Sequence, residues 1–392
     1  MEIKAMKIAE IKSHVIMYPL EEELGYSQQY YDKRTAHIVE IVTDEGLRGY
    51  GECFGGGGVA LANKTIVERA IQPMVLGMDP LDREVIWNTV YNLLRDHGQK
   101  GMPLQSLSGI DIALWDIAGK VFDLPLYQLI GGAFRDRIPV YGYGMMLQRV
   151  PDLHERFAAE SAKIKEMGFG AMKMKIGRGP EEDLRLVETV RGSIGDETKL
   201  MVDANHAYTA REAIPLGREL ERLGVYWFEE PVAPEDRQGY RDLCEALDMN
   251  IAGGEAEFSR WGFRDLIEGR CVDVLQPETC GLGGVSEYLK VRDLAHTHFI
   301  PVVNHVWGSA VCVALNLHLL AAMPDLPGGA HPVQPMLEYD ITPNKFREDL
   351  LTESLGITDQ VKANGGWVGL PRGPGLGIDI DFDFVGKHAV DE

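Results

Sequence analysis

From about residue 137 onwards, the sequence alternates short apolar runs with longer amphipathic stretches. The amphipathic stretches, which include residues 153–167 and 181–194, repeat apolar residues at helical spacing. The short runs are typical of buried parallel strands, and eight of them occur, at residues 139–143, 171–175, 200–205, 226–231, 251–255, 272–278, 300–305 and 335–339. Eight strand–helix units within about 200 residues predict a β/α barrel of the α/β class.

The residues before about 134 follow a mixed pattern instead. Alternating apolar residues at 37–43 predict a strand, whereas residues 81–95 and 106–122 carry apolar residues at helical spacing. Two unusual segments lie between such elements: residues 18–34, rich in Glu and Tyr, and residues 51–58, which contain four consecutive glycines. We therefore expect an α+β domain with two mobile connections that cover a site.

The charge and the cysteines of the chain restrict its partners and its compartment. Thirty-nine basic and 60 acidic residues give a net charge of −21. Such an acidic surface repels phosphate backbones and anionic lipid, so we expect neither a nucleic acid nor a membrane as partner. The five cysteines are widely spaced and form no Cys-x-x-Cys pair, which argues against a disulfide framework or a structural zinc site and favours the cytoplasm.

Charged residues end six successive predicted strands, where a buried strand would not place them for packing. They are separated by 28, 26, 26, 23 and 27 residues, about one strand–helix unit each, and are Lys175, Asp203, Glu229, Glu255, Glu278 and His305. Because the carboxyl ends of barrel strands surround one mouth, all six side chains should meet there. This mouth is the predicted functional site.

Three of these residues predict a metal site. Asp203, Glu229 and Glu255 come from neighbouring strands, and three converging carboxylates repel one another unless a cation lies between them. Oxygen ligands favour Mg²⁺ over zinc. Asn205, two residues beyond Asp203, should face the same way and contact substrate, whereas Glu230 should face the opposite way and form a salt bridge behind the site.

Two lysines supply a candidate base. Lys173 and Lys175 are two residues apart on one strand, so both ammonium groups should face into the barrel. We expect their mutual repulsion and the nearby Mg²⁺ to lower their pKa values, which makes a lysine a competent general base.

A histidine and a carboxylate supply the second candidate base. His305 ends the seventh strand and Glu278 the sixth, so the carboxylate should fix the imidazole tautomer and raise its basicity. This dyad should face Lys175 across the barrel. Acid/base groups on both sides of a metal-bound carboxylate predict chemistry at its α-carbon. Glu338, which ends the eighth strand, is either a protonated partner of a substrate carboxylate or part of a salt bridge.

The motifs around these residues resemble the mandelate racemase subgroup of the enolase superfamily over essentially the whole chain. They are Lys-Met-Lys at 173–175, Val-Asp-Ala-Asn at 202–205, Trp-Phe-Glu-Glu-Pro at 227–231, Gly-Gly-Glu at 253–255, Gly-Leu-Gly-Gly at 281–284 and Asn-His-Val-Trp at 304–307. The resemblance implies a (β/α)7β TIM-like barrel at 135–345 and an N-terminal α+β capping domain at 1–134, completed by a C-terminal segment at 346–392.

The resemblance also implies roles for residues. Mg²⁺ would hold a substrate carboxylate, Lys175 and His305 would be the bases, and the chain would form a homo-oligomer. Loops of the capping domain would select a small-molecule carboxylate, with Tyr26, Arg34, Asn205 and Trp307 as candidate substrate-binding residues. One departure concerns the dyad, because the usual partner of the strand-seven histidine is Asp, whereas this chain has Glu278.

Within the subgroup, residues 95–99, 275–277, 280–284 and 305–308 are especially similar to enzymes that open the lactone of a sugar acid. This similarity implies removal of the proton α to a carboxylate, an enolate intermediate and β-elimination of the ring oxygen to a 3-deoxy-2-keto acid. Three alternatives stay open: an acid-sugar dehydratase, a racemase or epimerase of a 2-hydroxy or amino acid, and a catalytically silent barrel that only binds. A Schiff-base aldolase using Lys175 is disfavoured by the three carboxylates.

Overall fold

A computed structural model describes residues 6–326 and 333–390 of the chain, which begins with a three-stranded antiparallel sheet in the order β1-β2-β3. The strands are β1 Ile8–Tyr26, β2 Gln29–Thr43 and β3 Arg48–Cys53. Tyr26 pairs with Gln29 at the end of the first hairpin, with a register shift between Pro19 and Leu24. The sequence pattern predicted a mobile connection at residues 18–34. These residues instead form the distal part of a long β-hairpin, which we call the capping hairpin.

Helices cover one face of this sheet. They are α1 Gly58–Thr65, a π-helical segment Ile66–Ile71, α2 Gln72–Val75, α3 Arg83–Leu94, α4 Met102–Phe122 and α5 Leu126–Ile130. The central helix α4 packs directly on β3, where Gly49 and Gly51 allow the close approach. A Cβ atom at Gly51 would lie 2.0 Å from the carbonyl oxygen of Gly109, so a larger residue would push the helix off the sheet.

The second part of the chain is a barrel of parallel strands surrounded by helices. Its strands are β4 Arg137–Tyr143, β5 Ala171–Lys175, β6 Lys199–Asp203, β7 Val225–Glu229, β8 Asn250–Gly253, β9 Val274–Leu275 and β10 Leu337–Asp340. The intervening helices are α6 Leu153–Glu166, α7 Pro180–Ile194, α8 Ala210–Arg222, α9 Arg237–Ala246, α10 Ser259–Glu268, α11 Gly284–Thr297 and α12 Ala310–Ala321. Parallel pairing of β10 with β4 brings the last of these strands in the chain beside the first.

The seventh predicted strand, at residues 300–305, is less regular than expected. It pairs with the sixth only through two parallel bridges, Leu275 with Val302 and Glu278 with His305. The second bridge lies at the mouth of the barrel. It fixes the backbones of Glu278 and His305 side by side, which matters for the site described below.

The C-terminal segment contacts both domains. Its elements are α13 Lys345–Glu348, α14 Ile357–Asn364, β11 Trp367–Gly369 and α15 Phe382–His388. Strand β11 pairs with β4 of the barrel, whereas Ala389 bridges Ile16 and Val390 donates its amide to Val15 of β1. The capping sheet is thus completed by residues from the far end of the described chain.

Apolar side chains fill three regions: the layer between barrel strands and helices, the layer between the capping sheet and α4, and the interior of the barrel. The cluster in the barrel interior contains Tyr141, Met201 and Trp227. Among the described residues, no helix is both long enough and apolar enough to cross a membrane. The strand order and the packing of the helices confirm the predicted fold, a TIM barrel with an N-terminal α+β capping domain.

Candidate active site

The strand register brings the predicted site residues together at one mouth of the barrel. Lys175 pairs with Asp203, and Asp203 pairs with Glu229, so three neighbouring strands end at the same level. Glu255 lies two residues beyond β8, and the Glu278–His305 bridge continues the ring. The side chains of this ring are buried except for that of Glu255, of which a fifth is exposed.

Three carboxylates form the candidate metal centre. Oxygen atoms of Asp203, Glu229 and Glu255 all lie within 4.8 Å of one another. Oε2 of Glu255 is buried and lacks a hydrogen-bond partner among the described residues, which is costly unless a ligand supplies one. An all-oxygen donor set with an unsatisfied buried carboxylate oxygen fits a hard divalent cation.

The two lysines of β5 compensate the charge of these carboxylates. Lys175 Nζ lies 2.5 Å from Asp203 Oδ2 and donates to Asn205 Oδ1 at 2.7 Å. Lys173 Nζ lies 2.5 Å from both Glu229 and Glu338. Both ammonium groups face into the barrel.

The lysine pKa values differ from the expectation. Burial lowers the pKa of Lys175, but Asp203 and Tyr143 outweigh burial and raise that pKa well above its ordinary value. Burial likewise lowers the pKa of Lys173, but Glu229 and Glu338 outweigh burial and raise that pKa well above its ordinary value. The expected lowering by mutual repulsion is therefore wrong for the protein groups alone, because the neighbouring carboxylates affect each lysine more strongly than the other lysine does.

The histidine and its carboxylate form a tight pair. His305 Nδ1 lies 2.7 Å from Glu278 Oε2, and Nε2 lies 3.3 Å from Glu255 Oε2. The amide of Cys280 donates to the other oxygen of Glu278 at 2.8 Å, which fixes the carboxylate. Burial lowers the pKa of His305, but Glu255 and Glu278 raise it to about 10. The longer side chain of Glu278 thus reaches the imidazole.

Glu338 is tied into the same network. One oxygen contacts Lys173, and the other accepts a 2.8 Å hydrogen bond from the amide of Val306. Burial raises the pKa of Glu338, but Lys173 and His305 lower it below its ordinary value. Of the two sequence-based interpretations, the geometry favours the salt bridge.

The segment after His305 is held from the capping domain. Glu52 of β3 accepts hydrogen bonds from the amide and the hydroxyl of Ser309 and from the amide of Cys312, at 2.9, 2.7 and 3.0 Å. These donors belong to the N-terminus of α12, so a residue of one domain caps a helix of the other. Burial raises the pKa of Glu52 to about 7, although these hydrogen bonds oppose the change.

A cavity of about 940 Å³ opens between this ring and the capping hairpin. Lys175, Glu255 and His305 line its floor, and Tyr26, Asn205 and Trp307, predicted to contact substrate, also line it. A volume of this size accommodates a small organic acid.

Arg34, the fourth predicted substrate-binding residue, is not part of this wall. It is buried behind the wall, where it lies 2.9 Å from Asp340 and donates to Thr342. Its guanidinium lies 5.8 Å from the ring centre of Trp307, so it supports that side chain from behind. Its neighbours Lys33 and Thr35 line the cavity instead.

The cavity wall also contains residues that the sequence pattern did not indicate, including Gln29, Gln105 and His206. Gln29 lies beyond the hairpin turn and Gln105 lies on α4, so only the tertiary structure places them here. His206 directly follows Asn205, and this adjacency was the one available signal.

The tip of the capping hairpin docks on the barrel. Ser27 and Gln28 donate side-chain hydrogen bonds to the backbone oxygen of Asn205 at 2.7 and 3.1 Å, and Leu147 donates its amide to Gly25. A Cβ atom on Gly177 would lie 2.5 Å from that of Ser27. The expected mobile connection is thus a fixed roof over the cavity.

The fold and the site define the class of protein. The model of the mandelate racemase/muconate lactonizing enzyme N-terminal domain matches residues 19–131, and the enolase C-terminal domain-like model matches residues 156–384. The chain therefore belongs to the mandelate racemase/muconate lactonizing enzyme family of the enolase superfamily, and it is an isomerase or a lyase. The predicted family is confirmed.

Several individual proteins are similar to this chain over most of its length. D-galactarolactone cycloisomerase of Agrobacterium fabrum is 41% identical over 96% of this chain and 97% of that enzyme. Arabinonate dehydratase of Saccharolobus solfataricus is 33% identical over 87% of each chain. Among solved structures, the 3,6-anhydro-D-galactonate cycloisomerase from Zobellia galactanivorans has a TM-score of 0.85 and 35% identity, covering 98% of this chain and 100% of that one.

Proposed function

We propose that this enzyme removes the proton α to a carboxylate of a sugar-acid lactone and expels the β ring oxygen. The observation that carries the proposal is the placement of Lys175 and the Glu278-supported His305 beside three converging carboxylates, in one cavity. Similarity to D-galactarolactone cycloisomerase over nearly the whole chain supports the lactone as substrate.

Asp203, Glu229 and Glu255 would hold Mg²⁺. When bound, this cation would compensate the three carboxylates in place of the protonated Lys175 and His305, so that the pKa of both groups falls and either can act as a neutral base, and it would stabilise the negative charge that develops on the substrate carboxylate. Asn205, which accepts a hydrogen bond from Lys175, keeps the ammonium group of that lysine at the edge of the cavity. Glu338 neutralises Lys173 behind the site.

The reaction needs one group to accept a proton and one to donate it. Lys175 or His305, according to the configuration of the substrate, takes the α-proton, and the electron pair of the broken C–H bond moves toward the substrate carboxylate to give an enolate. This pair then forms the double bond between the α- and β-carbons in the step that follows. The β C–O bond then breaks, and the ring oxygen leaves with its electron pair. Tautomerisation of the resulting enol yields the 3-deoxy-2-keto acid. Glu278 stabilises the imidazolium form of His305 whenever this residue holds the proton.

A second candidate function is dehydration of an open-chain sugar acid. The same residues remove the same proton, and a β-hydroxyl leaves in place of the ring oxygen. Similarity to arabinonate dehydratase favours this candidate. Epimerisation differs only in returning the proton to the opposite face. A silent binding protein is disfavoured because the whole set of acid/base and metal-ligand candidates is present.

The test is proton NMR in D₂O with Mg²⁺ and a panel of hexaric, hexonic and pentonic acids and their lactones, including galactarolactone. A 3-deoxy-2-keto product from a lactone supports the proposal, whereas the same product only from an open-chain acid makes the enzyme a dehydratase. Deuterium at the α-carbon without elimination identifies an epimerase. If no compound of the panel shows either deuterium exchange or product formation, sugar-acid chemistry is refuted.

A further inference from the structure

A second histidine–carboxylate pair lies at the cavity, outside the machinery assigned above. His206 lines the cavity, and its Nδ1 lies 3.3 Å from Oε2 of Glu230. Glu230 is fully buried, whereas a quarter of the His206 side chain is exposed. Neither of these two atoms has a hydrogen-bond partner among the described residues. The imidazole therefore turns one edge to the carboxylate and leaves its other edge to the cavity.

The backbone at His206 is strained and externally fixed. Asn205 and His206 have φ values of 41° and 67°, and Glu230 also has a positive φ, 41°. Left-handed non-glycine residues are uncommon and concentrate at functional sites, where the surrounding structure holds them. Here Gln28 of the capping hairpin donates to the backbone oxygens of both Asn205 and His206, at 3.1 and 3.4 Å. The hairpin thus fixes the turn that presents the imidazole.

We propose that His206 hydrogen-bonds a substrate hydroxyl group that is retained in the product. This inference rests on the proposed function and adds a specificity-determining residue to it. A hydroxyl both donates and accepts, so it matches the free imidazole nitrogen in either protonation state. The carboxylates of Glu230 and Glu255 on this side of the site disfavour a second anionic substrate group there. In the proposed mechanism, Lys175 and His305 act at the reacting carbon of the substrate. His206 is therefore left to bind a hydroxyl group on another carbon of the substrate.

The experiment compares two dicarboxylates of equal length, galactarate with four hydroxyls and adipate with none. Isothermal titration with saturating Mg²⁺ is carried out on His305→Asn protein, so that elimination does not consume the ligand, with and without His206→Phe. We expect His206→Phe to weaken galactarate about tenfold and to change adipate less than twofold. A second variant, His206→Asn, tolerates a left-handed backbone and should also weaken galactarate selectively.

His154 offers a matched control. Its Nε2 lies 3.1 Å from Glu182 on the outer helices, away from the cavity, so His154→Phe should change neither affinity. Equal losses for galactarate and adipate, an unchanged galactarate affinity, or failure of galactarate to bind before His206 is changed would each overturn the inference. The NMR panel distinguishes failure of the proposed function from failure of this inference. If the enzyme turns over a sugar acid but the titrations give one of these contrary results, only the role of His206 is refuted.

Discussion

Oε2 of Glu278 lies 2.7 Å from Nδ1 of His305, and the two residues also form a parallel backbone bridge. The bridge fixes both backbones, and the amide of Cys280 holds the second carboxylate oxygen. The extra methylene of Glu relative to Asp therefore does not separate the pair. The local structure therefore accommodates Glu278 in the place where the family usually has Asp.

Replacing Glu278 by Gln should lower kcat about 10²- to 10⁴-fold, because the amide no longer stabilises a charged imidazole. Steady-state assay of the substrate found by NMR measures the loss, and circular dichroism checks the fold. Glu182→Gln, which alters the carboxylate beside His154, should leave kcat unchanged. An active Glu278→Gln enzyme would show that His305 works without its partner.

Lys175→Met and His305→Asn should each reduce product formation by at least about 10²-fold, since each removes one acid/base group. The matched control is Lys199→Met, at the opposite end of the neighbouring strand, which should retain full activity. Deuterium exchange measured alongside product shows which residue takes the α-proton. A wild-type rate in His305→Asn would contradict the two-base mechanism.

Two of the three metal-ligand candidates should respond differently to substitution. Asp203→Asn leaves the buried ammonium of Lys175 without its nearest counter-charge, so we expect a loss of about 3–5 kcal/mol in the free energy of unfolding. Glu255→Gln, at a partly exposed position, should weaken Mg²⁺ binding at least about tenfold with a smaller effect on folding. Urea denaturation and calorimetric Mg²⁺ titration measure the two effects. Unchanged Mg²⁺ affinity would remove Glu255 from the ligand set.

Glu52 should make stability depend on pH. Its pKa is raised from 4.5 to about 7 in the folded chain, so its contribution is present below pH 4.5 and is lost as the pH rises through 7. Between pH 5 and 8, the parent protein should lose about 3 kcal/mol more than the Glu52→Gln variant. Parallel pH dependences in urea denaturation would show that Glu52 is ionised throughout.

Gly177→Ala should displace the capping hairpin. The added Cβ would lie 2.5 Å from Cβ of Ser27, at a φ of +122°. Gly179→Ala is the control, because its φ is +120° but nothing lies within 4 Å of its Cβ. Both variants share the backbone strain of about 1–3 kcal/mol, so only Gly177→Ala should raise KM and expose residues 18–34 to protease. The same KM and the same protease sensitivity in both variants would show that the hairpin tip accommodates the added Cβ atom without leaving the barrel.

Much of the barrel could be predicted because strand ends repeat at nearly constant spacing and burial in parallel sheets leaves continuous apolar runs. This pattern placed Lys175, Asp203 and Glu229 at one mouth, where the register brings them together. The pattern failed for residues 18–34, because exposed Glu and half-buried Tyr in a long hairpin do not show apolar alternation. The position of Arg34 depends on Asp340, which is 306 residues away along the chain, so the local pattern could not indicate that Arg34 is buried behind the cavity wall.

Other features were beyond the sequence for a different reason. Glu52 and Ser309 are 257 residues apart, and only the docking of the two domains makes one the cap of the other. The lysine pKa values depend on carboxylate distances of 2.5 Å that spacing along a chain does not provide. The homo-oligomer and the cytoplasmic location stay predictions.

The contacts of Ala389 and Val390 with β1 have a consequence for synthesis on the ribosome. Strands β1 to β3 leave the ribosome first, yet their sheet acquires these contacts only after the entire barrel has been translated. The capping sheet that carries the roof of the cavity is therefore completed after the barrel, and a nascent chain that already contains every proposed catalytic residue still lacks these contacts.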